Sequence, residues 1–272
     1  MFLLFGPGNG TVNTNSLTHF LLMPFAILHF SEDIRIFLNP KNRGKVCQIR
    51  FEGNPAVKHL IESLGVPHTE IQRIEVNGQP VDLAYPVNDN DAIIVYGLNP
   101  SRGHQLGDIQ SLPFEDCRFV LDNHLGRLAA YLRMLGFDAL YNNNFQDMEL
   151  AQLTYQEDRV LLTRDHLLLM RNLIKRGYWL RSQKPKEQIV EIIHHFQLHQ
   201  AIKPFKRCLS CNGILQPIAK EAIQDRLLPK TRRFYGEFHI CQSCSQIYWK
   251  GSHYHRMTDM VRGIVCKDEE FK

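Results

Sequence analysis

The clearest change of hydrophobic pattern along the chain occurs in residues 119–141. An apolar run, residues 119–121, ends at Asp122, and the apolar positions that follow recur at intervals of three and four up to Leu135. This spacing places them on one face of an α-helix. Gly136 favours a stop, and residues 138–141 begin another extended segment. The pattern predicts strand, helix and strand, the start of a parallel α/β sheet whose first strand ends in a carboxylate.

The same alternation continues to residue 196. It predicts helices over residues 147–156, 169–175 and 187–196, and strands over residues 159–163 and 178–181. Asp165 follows the strand predicted over residues 159–163, as Asp122 follows the one over residues 119–121. A parallel sheet would therefore bring both carboxylates to one edge. There they could hold a hard divalent cation, with Asp147 or Glu149 as a third carboxylate. The alternative is that each Asp only caps its helix.

Residues 25–98 have the pattern of a small separate domain. Strands are predicted over residues 25–30, 45–51, 71–76 and 92–96, and an amphipathic helix over residues 55–64. Strands around one helix in this order resemble the β-grasp fold of ubiquitin-like proteins and sulfur carriers. Carrier chemistry needs a free Gly-Gly terminus, whereas here the chain runs on from Gly97 into a Pro- and Gly-containing linker, residues 99–115. A docking role is therefore expected for this domain.

Four of the seven cysteines form two Cys-x-x-Cys pairs, with 29 residues between the pairs. Four thiolates in two such pairs match the tetrahedral set that structural Zn²⁺ prefers, and they leave no open position for a substrate. Paired spacing favours metal over disulfides, and therefore a reducing compartment, taken as the cytoplasm. The predicted zinc ligands are Cys208, Cys211, Cys241 and Cys244.

Charge and aromatic content favour RNA as a partner of the C-terminal quarter, although the charge alone fits a solubilising surface equally well. Residues 203–272 contain 13 Lys and Arg against 7 Asp and Glu, whereas residues 116–202 contain 11 against 10. Aromatic and cationic residues alternate over residues 248–256, a combination that stacks on unpaired bases and neutralises phosphates. The rival interpretation is a hairpin whose aromatic residues cover the zinc site, with Trp249 mainly structural. The candidate RNA contacts here are Arg232, Arg233, Lys250, His253 and Arg256.

Composition excludes few classes but does not favour secretion or a membrane. The chain has 272 residues, with 44% hydrophobic and 22% charged side chains, which is typical of a globular protein with two or three domains. The first 24 residues contain no Lys or Arg, and their apolar stretch is interrupted by Pro24, so they make a poor secretory signal. No run approaches the length of a membrane-spanning helix. Residues 1–24 are interpreted as a leader.

Four segments taken together resemble the Mut-seven C-terminal RNase family. They are LDNHLGRLAAYLRMLGFDALY, LLTRD, the two Cys-x-x-Cys pairs and YWKGSHYHRM. With the β-grasp segment in front, the resemblance covers about residues 25 to 260. It implies a PIN-like α/β nuclease with a zinc ribbon, cleaving RNA with Mg²⁺ or Mn²⁺ held by Asp122, Asp147 and Asp165. PIN-like sites commonly add a carboxylate after the fourth strand, but residues 181–184 contain none.

The sequence thus predicts a leader, residues 1–24; a ubiquitin-like β-grasp domain, residues 25–98; a linker, residues 99–115; a PIN-like nuclease domain, residues 116–202; and a Cys₄ zinc ribbon, residues 203–266. Arg127, Arg133 and Arg164 lie near the carboxylates and could contact phosphate. Each could equally be an ordinary solvated helix residue, which is the interpretation favoured for Arg133. Two alternatives to a ribonuclease remain: a non-catalytic RNA-binding or regulatory module, and an adaptor whose ubiquitin-like domain docks a protein partner.

Overall fold

The computed structural model describes residues 23–102, 105–110 and 117–265. It divides into two compact units. Of the described residues, the first contains 23–66, 71–97 and 106–109, and the second contains 67–70, 98–102, 105, 110 and 117–265. The predicted leader up to residue 22, and Cys266, lie outside the described residues. The predicted ribbon shares the second unit with the predicted nuclease domain.

The first unit is built on one mixed sheet. Its strands are β1 Phe25–Phe30, β2 Cys47–Arg50, β3 Ile71–Val76, β4 Gln79–Val81 and β5 Ala92–Gly97. Their order is β2-β1-β5-β3-β4, and β1 pairs with β5 in parallel while the other pairs are antiparallel. Helix α1, Val57–Ser63, buries Val57, Leu60 and Ile61 in the same core as strand residues such as Leu28 and Ile74. This arrangement confirms the predicted β-grasp domain.

The second unit contains a four-stranded parallel sheet. Its strands are β6 Arg118–Leu121, β7 Asp138–Tyr141, β8 Val160–Thr163 and β9 Gly177–Trp179, in the order β7-β6-β8-β9. The connecting helices are α2 Gly126–Met134, α3 Asp147–Glu157 and α4 Pro185–His195. Gly136 ends α2 with a φ of 99°, as its predicted role as a stop requires. Because all four strands run the same way, their C-terminal ends meet along one edge.

The predicted helix over residues 169–175 is wrong. Only a 3₁₀ turn, Leu168–Met170, forms, and Arg171 has an extended backbone. Leu168, Leu169 and Ile174 are all buried in one core cluster. A continuous helix turns about 100° per residue, so it would carry Ile174 away from the face that buries Leu168 and Leu169. Burying all three side chains therefore requires the chain to leave the helix.

The predicted zinc ribbon forms a small antiparallel sheet. Its strands are β10 Leu215–Ile218, β11 Phe238–Cys241 and β12 Ile247–Trp249, in that order. Two helices accompany them, α5 Pro229–Phe234 and α6 Ser252–Val265. Val261 and Ile264 of α6 lie in the same core cluster as Phe119 of β6. The C-terminal helix therefore packs on the parallel sheet's core.

No helix in the described part of the chain combines the length and the apolar character needed to cross a membrane.

Candidate active site and metal centre

Asp122 and Asp165 are held at the same edge of the parallel sheet by the Thr163 hydroxyl. The hydroxyl donates to Asp122 Oδ2 at 2.7 Å and accepts the backbone N–H of Asp165 at 2.9 Å. Thr163 is fully buried at the end of β8. One buried side chain therefore links the segments that follow β6 and β8, as the sequence predicted for a parallel sheet.

The two carboxylates have different local roles. Asp165 Oδ1 accepts the backbone N–H of Leu167 at 2.9 Å, so it caps the turn that follows β8. Asp122 Oδ1 accepts the N–H of Asn123, but the N-cap of α2 is Leu125, without a side-chain cap. Capping of a turn therefore explains Asp165 in part, and helix capping does not explain Asp122.

Asp147, the predicted third carboxylate, lies at the start of α3 and therefore also follows a C-terminal strand end, that of β7. Its carboxylate is 55% exposed and pairs with Arg171 at 2.9 Å. Glu149 accepts the N–H of Gln146 at 2.8 Å in a capping box. Among the described residues, only the four cysteines form a group of three or more His, Cys, Asp or Glu with ligand atoms close enough to share one metal ion. The structure thus links Asp122 to Asp165 and leaves Asp147 with a separate partner.

The donors at this edge are oxygens, which suits a hard cation such as Mg²⁺ or Mn²⁺. A carboxylate offers about four lone-pair positions, and the hydrogen bonds described here occupy two of those on Asp122. The side-chain oxygen of Asn123, the next residue, is buried and has no hydrogen-bond partner among the described residues. The residues present therefore fit an oxygen-ligated cation, although they do not form a closed cage.

The loop after β9 has no carboxylate of its own, but Glu191 of α4 fixes it. Glu191 accepts the N–H of Arg181 at 2.8 Å and the N–H of Ser182 at 3.1 Å. It also accepts the hydroxyl of Tyr178 at 3.0 Å, and burial raises the pKa of Tyr178, so that hydroxyl stays protonated. Sequence reasoning missed this role because Glu191 lies 9 and 10 residues after the two loop residues that it binds.

Arg127 and Arg164, the predicted phosphate contacts, both belong to this edge. Arg127 is exposed in the first turn of α2 and has no ion pair in the part of the chain that the structure describes. Arg164 follows β8, and its Nη1 donates to the carbonyl oxygen of Ser182 at 2.6 Å. Arg164 is thus partly committed to the loop, whereas the guanidinium of Arg127 is available.

The predicted zinc ligands converge. The Sγ atoms of Cys208, Cys211, Cys241 and Cys244 all lie within 4.8 Å of one another, with Cys208 to Cys244 at 3.6 Å and Cys211 to Cys241 at 3.3 Å. Tetrahedral bonds of about 2.3 Å from zinc to sulfur require sulfur atoms somewhat under 4 Å apart. A Cβ added to Gly213 would lie 2.8 Å from the Cys241 sulfur, so the chain passes close to the cluster at this point, while Cys211 and Cys244 are exposed. The residues present fit a structural zinc ion.

Arg133 is buried, and the expectation that it is solvated is wrong. It is 3% exposed and donates to the carbonyl oxygens of Ala139, Leu209 and Ser210 at 2.9, 3.0 and 2.8 Å. Leu209 and Ser210 lie between the first two zinc ligands. The guanidinium of Arg133 therefore joins α2 to the zinc knuckle. Its positive charge also attracts the negative charge of the Cys208 and Cys211 thiolates. Two of the three acceptors, Leu209 and Ser210, lie more than 70 residues later in the chain, which helical spacing does not reveal.

A second link joins the ribbon to β7. Asn212 donates to Asp138 Oδ1 at 2.8 Å and accepts the N–H of Ala139 at 3.0 Å. Asp138 also pairs with Arg159 at 2.7 Å and Arg207 at 3.3 Å. Burial raises the pKa of Asp138, but the hydrogen bonds and positive charges of these partners outweigh it and lower the pKa below its ordinary value. The ionised carboxylate therefore contributes to holding the ribbon on the sheet edge.

The predicted RNA contacts of the ribbon lie at its surface but on different elements. Lys250 pairs with Glu237 at 2.6 Å, so it already has an anionic partner. Tyr248, and not Trp249, reaches the cysteine cluster, with its hydroxyl 3.1 Å from the Cys208 sulfur, while Trp249 is 37% exposed. The remaining four are exposed on helices that the sequence did not predict: Arg232 and Arg233 on α5, and His253 and Arg256 on α6.

Comparison with known proteins assigns both parts of the chain. Residues 117–261 match the family model described as Mut7-C RNAse domain, and residues 23–102 match the one described as Mut7-C ubiquitin. No curated protein matches the chain. The first match contains the parallel sheet, the linked Asp122 and Asp165, and all four zinc-ligand cysteines. The chain therefore belongs to the Mut7-C RNAse domain family, with a ubiquitin-like domain of the Mut7-C type in front of it.

Proposed function

We propose that the second unit is a metal-dependent ribonuclease that hydrolyses RNA phosphodiester bonds at Asp122 and Asp165. The observation that carries this proposal is the buried Thr163 hydroxyl, which joins both carboxylate segments at one sheet edge. The match to an RNAse family supports the reaction class. Asp147 is assigned a supporting role because Arg171 already pairs with it.

In this proposal Asp122 and Asp165 provide oxygen ligands for Mg²⁺ or Mn²⁺, and Asn123 adds a neutral oxygen. The ion, when bound, supplies positive charge that activates water and stabilises the charge developing on the phosphate. Water attacks phosphorus and loses a proton to solvent, the bond from phosphorus to the leaving ribose oxygen breaks, and that oxygen takes a proton from solvent. Arg127 and Arg164 bind the phosphate groups, and the ribbon residues Arg232, Arg233, Lys250, His253 and Arg256 extend the contact along the strand.

A second function, RNA binding without cleavage, is favoured by one observation. Among the described residues, the carboxylates do not form a three-ligand group, and the loop after β9 supplies none. A site with two linked carboxylates holds a divalent ion less tightly than one with three or four. RNA would then be held by the basic residues alone.

Cleavage of end-labelled single-stranded and structured RNA by the zinc-loaded protein, with added Mg²⁺ or Mn²⁺ and without either, tests the first proposal. Asp122→Asn is expected to lower the rate at least about 100-fold, equivalent to about 2.7 kcal/mol of transition-state stabilisation. Asp158→Asn is the matched control, because Asp158 precedes β8 at the other end of the strand and pairs only with Arg176 in the described structure. It should cut at the wild-type rate.

Two results would contradict the nuclease proposal. RNA binding with no cutting by the wild-type protein would select the second function. Equal cutting by the wild-type protein and Asp122→Asn would assign the activity to a contaminant.

We also propose that the ubiquitin-like unit docks a protein partner. The compartment that we propose is the cytoplasm. The chain continues from β5 into the 3₁₀ turn Pro100–Arg102, so Gly97 offers no free carboxyl group for carrier chemistry. Four clustered thiols that fit zinc suit a reducing compartment. Loss of a captured partner on deletion of residues 23–97 would support docking, and its retention would refute it.

A further inference from the structure

A cavity of about 500 Å³ opens beside the linked carboxylates. Its volume lies in the range of about 300 to 1,000 Å³ that is usual for small-molecule sites. It is formed by the loop and first turn of α2, by Arg164 after β8, and by the loop and first turn of α4. The residues that line it are His124, Leu125, Gly126, Arg127, Leu128, Arg164, Gln183, Pro185 and Gln188.

The lining of the cavity is cationic. It contains two arginines and a histidine and no carboxylate. Elsewhere in the second unit, arginines such as Arg159 and Arg171 form ion pairs with carboxylates. Arg127 has no such pair in the described structure, and neither has Arg164. Two unneutralised guanidinium groups around one cavity favour an anionic ligand.

Arg164 is fixed in place with donors left over. Its Nη1 donates to the carbonyl oxygens of Ser182 and Arg181 at 2.6 and 3.2 Å, and its own carbonyl oxygen accepts Nε1–H of Trp179 at 2.9 Å. A guanidinium has five N–H donors, and the hydrogen bonds described here use only those on Nη1. The remaining donors are thus held in a fixed orientation, which is the arrangement that binds phosphate at low entropic cost.

The rest of the lining suits a nucleobase. Pro185 is half-buried and offers apolar contact for a ring, whereas Leu125 and Leu128 are buried in the wall of the cavity. Gln188 is 2% exposed and fixed by a hydrogen bond from its Nε2 to the Ser182 carbonyl oxygen at 3.0 Å, and exposed Gln183 adds a second amide. Amide groups next to an apolar surface read the hydrogen-bonding edges of unpaired bases.

We propose that this cavity is a nucleotide subsite, in which Arg127 and Arg164 bind one phosphate of the RNA and the apolar and amide residues hold its base. The subsite rests on the proposed nuclease function, because it places a single unpaired nucleotide next to Asp122 and Asp165. Selection at this cavity is for an unpaired nucleotide, since a base in a duplex is stacked and paired and does not enter. The substrate is therefore single-stranded RNA or an unpaired end.

Nucleotide binding tests the subsite without any cleavage. The full-length, zinc-loaded protein is titrated with adenosine monophosphate, adenosine and inorganic phosphate by calorimetry, in buffer without added Mg²⁺ or Mn²⁺. Adenosine monophosphate is expected to bind at least fivefold more tightly than either part. Arg127→Gln should weaken it at least fivefold, with the thermal unfolding of the variant checked in parallel.

Lys186→Gln is the matched control. Lys186 is an exposed cation in the first turn of α4 that does not line the cavity. Its loss should change the affinity less than twofold. Equal weakening by Lys186→Gln and Arg127→Gln would overturn the subsite, because it would reduce the effect to general charge. Equal affinities for the nucleotide and inorganic phosphate would also overturn it.

The outcomes separate this inference from the nuclease proposal. Arg127-dependent nucleotide binding in a protein that never cuts RNA would uphold the subsite and refute catalysis. Cleavage that depends on Asp122, in a protein whose nucleotide affinity is unchanged by Arg127→Gln, would refute the subsite alone.

Discussion

The two candidate metal sites of the second unit are held in opposite ways. In the zinc site, four sulfur atoms lie within 4.8 Å of one another and form a complete tetrahedral ligand set. At the sheet edge, one hydroxyl links two carboxylates and the third has an arginine as its partner. A structural ion has every coordination position filled by protein ligands, whereas a catalytic ion needs open positions for water and substrate. The difference matches the roles that we assign to the two sites.

Removing zinc should have the largest effect of any single change. Structural zinc contributes about 10 to 16 kcal/mol of apparent binding free energy in small zinc modules. Because Arg133 and Asn212 tie the knuckle to α2 and β7, we expect Cys208→Ser to destabilise the whole second unit. Zinc content and thermal unfolding measure this, with Cys117→Ser as the control that should keep its zinc. A variant whose parallel sheet unfolds at the wild-type temperature would show that the ribbon is independent.

At the sheet edge, Thr163→Val should have a moderate effect. Valine keeps the shape but leaves the part-buried N–H of Asp165 without its acceptor, which costs about 1 kcal/mol. Losing the bond to Asp122 should slow RNA cleavage about tenfold, since about 1.4 kcal/mol of positioning would be lost. Stability and cleavage rate are both measured.

Thr154→Val is the control for that change. Thr154 is also buried, but its hydroxyl donates within α3 to the Ala151 carbonyl oxygen. It should lose some stability and keep the full cleavage rate of the folded protein. Equal loss of rate in both variants would mean that Thr163 acts only through the fold.

A smaller effect is the loss of folding stability at low pH. Protonation of the zinc-binding thiolates would be the usual explanation, but His195 provides another. Burial, helped by the charges of Arg181 and His194, lowers the pKa of His195 to about 3. The unfolded chain takes up this proton near pH 6.5 and the folded chain does not, so stability falls as pH falls below 6.5. From pH 7 to 5.5 the loss should be about 1 kcal/mol.

Chemical denaturation at the two pH values would measure this loss. His195→Phe, which keeps the ring beside Tyr178, should abolish that part of the pH dependence. His194→Phe changes an exposed neighbour and should not. If the stability of His195→Phe depends on pH as that of the wild-type protein does, the loss of stability in acid would be assigned to the zinc site.

The sequence predicted features that depend on local spacing. The apolar run before Asp122, the helical intervals up to Leu135 and the two Cys-x-x-Cys pairs each lie in a short segment, and the structure confirms the strand, the helix and the converging sulfur atoms. Features that depend on distant partners were not predicted. Arg133 has the spacing of a solvent-facing residue, and its acceptors come from the zinc knuckle.

Two other features of the second unit escaped prediction for related reasons. The alternating aromatic and basic residues 248–256 predicted either an RNA contact or a hairpin over the zinc site, yet from Ser252 they form α6, which Val261 and Ile264 anchor in the core. The nucleotide cavity is made by three loops that the sequence places up to 64 residues apart, from His124 to Gln188. No spacing rule connects residues that only the sheet brings together.

The return of α6 to the core has a consequence for biosynthesis. Phe119, near the start of the second unit, shares a core with Ile264, near its end. Contacts between residues so far apart in sequence cannot form until almost the whole unit has been synthesised. A ribosome-bound chain will therefore expose the part of this core that Val261 and Ile264 contact until α6 emerges, and a premature stop before residue 252 will yield a protein that lacks this contact.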